Sequence, residues 1–151
     1  MATTTWDNVY VAVQAKLLTV EKHFEVRLHV EDDDNYATLI VWPNTTPHLP
    51  AGTWELREVV ATVSTLLDSG DLDQFDLDVY YFWRFLYKVE GANVVYQAFQ
   101  DENLLTYQVK VQAFTADVGS IALVTEAGGT VHVNKVKVSD FPMPFDFIGP
   151  A

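Results

Sequence analysis

Apolar side chains fall on every second residue through much of this chain, and that spacing limits its fold more than any other feature. In a β-strand successive side chains point to opposite faces, so a period of two marks a strand with one face turned to a core. From Trp6 to Leu18, Val9, Val11, Val13, Ala15 and Leu17 alternate with Tyr10, Ala12, Gln14, Lys16 and Leu18. Phe24, Val26, Leu28 and Val30 repeat the pattern, with Glu25, Arg27 and His29 between them. The acidic run from Glu31 to Asn35 then separates these residues from a nearly continuous apolar run, Tyr36 to Trp42, that ends at Pro43. Asp and Asn tolerate turn backbone, so the two runs are expected to form a hairpin with an acidic tip. Further strands are expected over Val79–Val89, Val94–Gln100, Tyr107–Phe114, Ile121–Glu126 and Thr130–Val138. In the last, the alternation changes phase between Val133 and Val136, as a β-bulge would make it do.

One segment has a different period. Leu56, Val59, Val60, Val63, Leu66 and Leu67 are spaced i, i+3, i+4, i+7, i+10 and i+11, which predicts an amphipathic helix over about 54–69. Thr53 would cap its start and Gly70 would end it. The expectation is a mainly β, compact antiparallel β-barrel or sandwich with one amphipathic helix and extended terminal arms. Its parts would be an N-terminal arm over 1–8, a single β-rich domain over 9–138, and a C-terminal apolar arm over 139–151.

Charge and motif exclude more than they assign. The formal net charge is −12, from 21 acidic and 9 basic residues, and no basic cluster exists to release counterions from phosphates, which disfavours nucleic acid. No stretch of 18 apolar residues is present, so no membrane span is expected. The first residues, MATTTWDN, lack the basic and apolar regions of a signal peptide. Without cysteine there is no disulfide, thiol nucleophile or thiolate metal site. The aspartate-rich run 68–78 fails the EF-hand spacing, since Phe75 and Asp76 stand where a ligand and the glycine belong. His23, His29, His48 and His132 match no zinc spacing. None of the serines lies in a nucleophile elbow, and no phosphate loop is present. The chain is therefore expected to be non-enzymatic and to need no cofactor.

Two stretches remain as candidate interaction sites. In VYYFWRFLYKV, residues 79–89, both faces are apolar or aromatic. The strand is either covered on both sides, or buried in a subunit interface, or a platform on which Tyr81, Trp83 and Phe85, with Arg84, stack a ligand. The last account would suit an OB-like module for single-stranded nucleic acid or a small ligand. The second stretch is the tail SDFPMPFDFIGPA. Phe141, Met143, Phe145, Phe147 and Ile148 are interleaved with Pro142, Pro144 and Pro150, which fix an extended path and remove backbone donors. Such a strip must dock, either on its own domain or on another subunit.

With Trp6 in the arm ATTTW and the apolar tail, the chain resembles the capsid decoration proteins of tailed bacteriophages in overall build. That resemblance implies a homotrimer on the capsid exterior, made in the host cytoplasm, that clamps neighbouring copies of a major capsid protein and stabilises the phage head. Trp6, Phe141, Met143, Phe145, Phe147 and Ile148 would then be the subunit or capsid contacts, and multivalency would supply the affinity.

Overall fold

The computed structural model describes residues 8–44, 51–72, 74–114 and 120–140. They form ten strands: β1 (Asn8–Leu17), β2 (Phe24–Asp32), β3 (Asn35–Pro43), β4 (Gly52–Val60), β5 (Val63–Leu72), β6 (Tyr81–Glu90), β7 (Asn93–Gln100), β8 (Asn103–Val111), β9 (Ser120–Thr125) and β10 (Val131–Asp140). Two five-stranded antiparallel sheets result, sheet A in the order β10-β1-β6-β7-β8 and sheet B in the order β5-β4-β3-β2-β9. The molecule is a sandwich. The sheets do not close into a barrel.

The period-two residues build the space between the sheets. Sheet A contributes Val9, Val11, Val13, Ala15 and Leu17 of β1, Trp83, Phe85 and Tyr87 of β6, and Val94, Tyr96 and Ala98 of β7. Sheet B answers with Phe24, Val26 and Leu28 of β2, Ala37, Leu39 and Val41 of β3, and Trp54 and Leu56 of β4. Each large side chain so buried contributes roughly 1.5–3 kcal/mol of transfer free energy. The alternation thus fixes which face of each strand turns inward, and a one-residue slip would reverse it. Opposite Gln14 and Ala15 the β1–β10 register shifts at Asn134, which is the bulge expected between Val133 and Val136.

The predicted helix over 54–69 is not there. Those residues form β4, a two-residue turn and β5, paired from Gly52↔Leu72 to Val60↔Val63. Ala61 and Thr62 make the turn with φ of 48° and 69°, the left-handed backbone that tight hairpins need. Their amides are held by the neighbouring β2–β3 turn: Ala61 N–H donates to Asn35 Oδ1 at 2.9 Å and Thr62 N–H to Asp34 O at 3.1 Å. The helical spacing arose because two strands in succession can place apolar residues three and four apart. Val63 and Leu66 of that stripe lie exposed.

The aspartate-rich run 68–78 is tied into the fold at three points. Asp68, in β5, accepts hydrogen bonds from Thr106 Oγ1 at 2.6 Å and Gln108 Nε2 at 3.1 Å, joining β5 of sheet B to β8 of sheet A. Phe75 is buried in the core, and Asp78 pairs with Lys16 at 2.6 Å.

Candidate functional site

The outer face of sheet B carries a groove of about 450 Å³ across β2, β3 and β4. Its floor follows from strand register. Glu25, Ile40 and Glu55 lie side by side in one row, and Arg27, Thr38 and Arg57 in the next. Strands β2 and β4 both run antiparallel to β3, so they are parallel to each other. Each presents the same Glu-x-Arg sequence, Glu25-Val26-Arg27 and Glu55-Leu56-Arg57, in the same direction. Alternation puts the glutamate and arginine of each triplet outward and the intervening Val26 and Leu56 into the core.

The first pair is almost enclosed. Glu25 is only 6% exposed, and burying a carboxylate is costly unless its lone pairs are satisfied. Arg27 supplies two donors, Nε to Oε1 at 3.1 Å and a terminal nitrogen to Oε2 at 3.2 Å. Thr38 Oγ1 donates to Oε1 at 3.0 Å, and His23 Nε2 lies 3.0 Å from Oε2. The Arg27 guanidinium rests on the Tyr36 ring, 4.0 Å from its centre, which adds a cation–π contact. The second pair is more open. Arg57 Nε donates to Glu55 Oε1 at 2.5 Å, and its terminal nitrogen donates to Ser64 Oγ at 3.2 Å.

At the end of the groove Trp42, half-buried, meets His23 edge-on with 5.4 Å between ring centres. His23 is fixed from both sides, because Nδ1 lies 3.0 Å from Glu126 Oε2. The His23 backbone N–H donates to that same oxygen at 2.9 Å. This bond above all holds the Glu126 carboxyl below its ordinary value; His23 and Lys22 beside it act in the same direction, against desolvation. The result is a strip of carboxylates and guanidiniums already paired and oriented, with an aromatic ring at one end. Such a surface offers fixed donors and acceptors to a polyhydroxylated ligand and a flat apolar face to its C–H groups.

The sequence-derived candidates lie elsewhere. Trp83 and Phe85 are fully buried in the core, and Tyr81 packs against Phe75 while its hydroxyl accepts from Asp76 N–H at 2.9 Å. Arg84 lies on the opposite face of β6, near Phe82. These four residues therefore make no common stacking platform. Trp6, Phe141, Met143, Phe145, Phe147 and Ile148 lie outside the described residues. His29, expected beside Glu25 and Arg27, instead turns inward: its φ of 53° at the β2 irregularity reverses the alternation, and it stacks on Phe114. Among the described residues no group of three His, Asp or Glu side chains is arranged to hold a metal. Glu55, Arg57, Tyr36 and Trp42 were not singled out from sequence. The repeated Glu-x-Arg triplet was the available signal, and the helical assignment of 54–69 hid its second copy.

No protein-family model matches the sequence, and no curated protein is similar to it. The fold, however, has close parallels among solved structures. Sheep galectin-11 in complex with glycerol superposes with a TM-score of 0.62 at 13% identity, covering 91% of this chain and 93% of that one. The ancestral congerin Con-anc gives 0.55 at 9% identity, over 91% and 95%. CG-16, a homodimeric agglutinin from chicken liver, gives 0.52 at 16% identity, over 91% and 98%. The chain has a galectin-like β-sandwich fold. That finding overturns the resemblance to phage decoration proteins, and with it the capsid clamp, the major capsid protein as partner and the homotrimer. The OB-like alternative falls too, since the galectin sandwich of two facing sheets is not an OB barrel.

Proposed function

We propose that this protein is a carbohydrate-binding module, acting without catalysis, and that the outer face of sheet B is its binding surface. The observation that carries the proposal is the pair of parallel Glu-x-Arg triplets, fixed by their own hydrogen bonds beside Trp42. A sugar hydroxyl both donates and accepts, so adjacent carboxylate and guanidinium groups can engage neighbouring hydroxyls together. Because Glu25 and Arg27 are already held by Thr38, His23 and Tyr36, little side-chain entropy is lost when a ligand arrives. The fold supports the same reading. It is shared with a galectin solved with glycerol, itself a small polyol, and with a protein described as an agglutinin.

The test is a glycan-array screen of the intact protein, followed by calorimetric titration of the best saccharide into wild type and two variants. Trp42→Ala should weaken binding at least tenfold by removing the apolar platform. Arg57→Met should weaken it comparably while leaving the fold intact, since Arg57 is partly exposed. Absence of any saccharide binding at millimolar concentration, or full affinity in both variants, would falsify the proposal.

A further inference from the structure

His23 faces two carboxylates at once. Its Nε2 lies 3.0 Å from Glu25 Oε2 in the groove, and its Nδ1 lies 3.0 Å from Glu126 Oε2 just beyond β9. An ionised carboxylate only accepts hydrogen bonds, and a neutral imidazole has a single N–H. In that state one ring nitrogen would turn its lone pair toward an oxygen lone pair. The imidazolium donates from both nitrogens and makes both contacts charge-assisted bonds. The arrangement is therefore complete in only one of the ring's two charge states.

Both carboxylates are anchored independently of the ring. Glu25 is held by Arg27 and Thr38. Glu126 is held by the His23 backbone N–H at 2.9 Å, and its own N–H donates to His23 O at 3.0 Å. Lys22 Nζ stands 3.9 Å from the other Glu126 oxygen. The remaining charges nearby are Glu21, in the same connection as Lys22, and Glu55 and Arg57 of β4, which lie beyond Ile40 and Thr38 in register. From β3 the ring meets only the uncharged Trp42 indole, edge-on at 5.4 Å, and the turn after Glu126, Ala127 to Gly129, carries no charge. The ring is thus the part free to respond. On losing a proton it keeps one bridge and gives up the other, and Trp42, which lines the groove with it, loses a fixed neighbour. The His23 side chain is 23% exposed, so it exchanges protons with solvent without unfolding.

We propose that His23 is a pH-dependent latch on the groove: as imidazolium it ties Glu25 to Glu126 and steadies Trp42, and as neutral imidazole it releases one carboxylate and loosens the Trp42 platform. The consequence for binding rests on the carbohydrate reading of the groove: saccharide is held more tightly at mildly acidic pH than at alkaline pH. Histidine is the side chain suited to such a change, because its charge switches within the physiological range.

Nitrogen NMR of the histidine side chains in the free, full-length protein tests the latch without a saccharide. The His23 signals are identified by their loss in His23→Gln. Both ring nitrogens should show protonated shifts at about pH 5.5, and one should lose them by about pH 8.5. The Trp42 indole signal should move or broaden over the same interval. A ring that keeps one charge state throughout, or a Trp42 signal that ignores its titration, overturns the proposal. Affinity for the saccharide selected on the glycan array should fall roughly fivefold or more between the same two pH values, and His23→Gln should abolish that dependence. Affinity that does not vary with pH in the wild type, or varies as much in His23→Gln, overturns the proposal as well. If no saccharide binds, the carbohydrate reading fails by itself, and the free-protein spectra still decide the latch.

Discussion

Glu58 points into the sandwich rather than onto the binding face, and its Oε2 accepts the Tyr96 hydroxyl at 2.6 Å from the opposite sheet. Burial first, then the charge of Glu58 and the hydrogen bond to it, pushes the Tyr96 phenol well above its ordinary value of 10.0. A raised folded value means that the native state holds this proton more tightly than the unfolded chain does. The contribution is complete below pH 10 and is lost as pH rises toward the folded value. Tyr96→Phe should cost about 1–3 kcal/mol at neutral pH, because it leaves a buried carboxylate oxygen without its donor. It should also flatten the loss of stability above pH 10, and urea denaturation at pH 7 and pH 11 would show both effects. Glu126 has the opposite sign. Its carboxyl is held below the ordinary 4.5 chiefly by the His23 backbone N–H, so its contribution is present above pH 4.5 and fades as pH falls through the depressed value. Glu126→Gln should remove that part of the acid dependence in a pH series of thermal melts. Gly70 tests packing alone. A Cβ there would sit 2.9–3.0 Å from the Trp54 indole, so Gly70→Ala should destabilise by roughly 1–3 kcal/mol through overpacking.

At the scale of elements, legibility followed the physics of alternation. The β2–β3 hairpin with its acidic tip, the β6–β7 hairpin and the bulged β10 could all be seen in the sequence, because each keeps a period of two, although the β10 valines Val133, Val136 and Val138 lie at the sheet edge and stay exposed. The β4–β5 hairpin could not. Its turn is Ala61–Thr62, without the Asn-Gly signal that would announce positive φ, and its apolar residues happened to fall at helical intervals. The site was hidden with it: Glu25 and Arg27 were legible as one face of a strand, while Glu55 and Arg57 had been placed on a helix. His29 was misplaced for another reason, since a backbone irregularity within β2 breaks period two and no local residue preference marks it. The strained turn yields a prediction. The double substitution Ala61→Asn, Thr62→Gly should stabilise the protein by about 1 kcal/mol, by supplying residues suited to left-handed backbone. A thermal melt that stayed unchanged or fell would show that the bracing by Asn35 and Asp34, not the turn's own conformation, sets its stability.

For the whole molecule, the two outer faces divide the work. Sheet A carries apolar side chains such as Tyr10, Ala12 and Leu86 on its outer side, whereas sheet B turns out a strip of ordered charges around Trp42. A net charge of −12 opposes association with polyanions, so the acidic balance fits a neutral ligand better than a charged one of the same sign. The central claim is that this strip binds carbohydrate. It is tested most directly by mapping amide shifts while a saccharide selected on the array is titrated into the isotope-labelled protein. The account predicts saturable changes concentrated at His23 to Arg27, Tyr36 to Trp42 and Glu55 to Arg57, with sheet A silent. Changes centred on sheet A, or a protein that no saccharide perturbs, would contradict it.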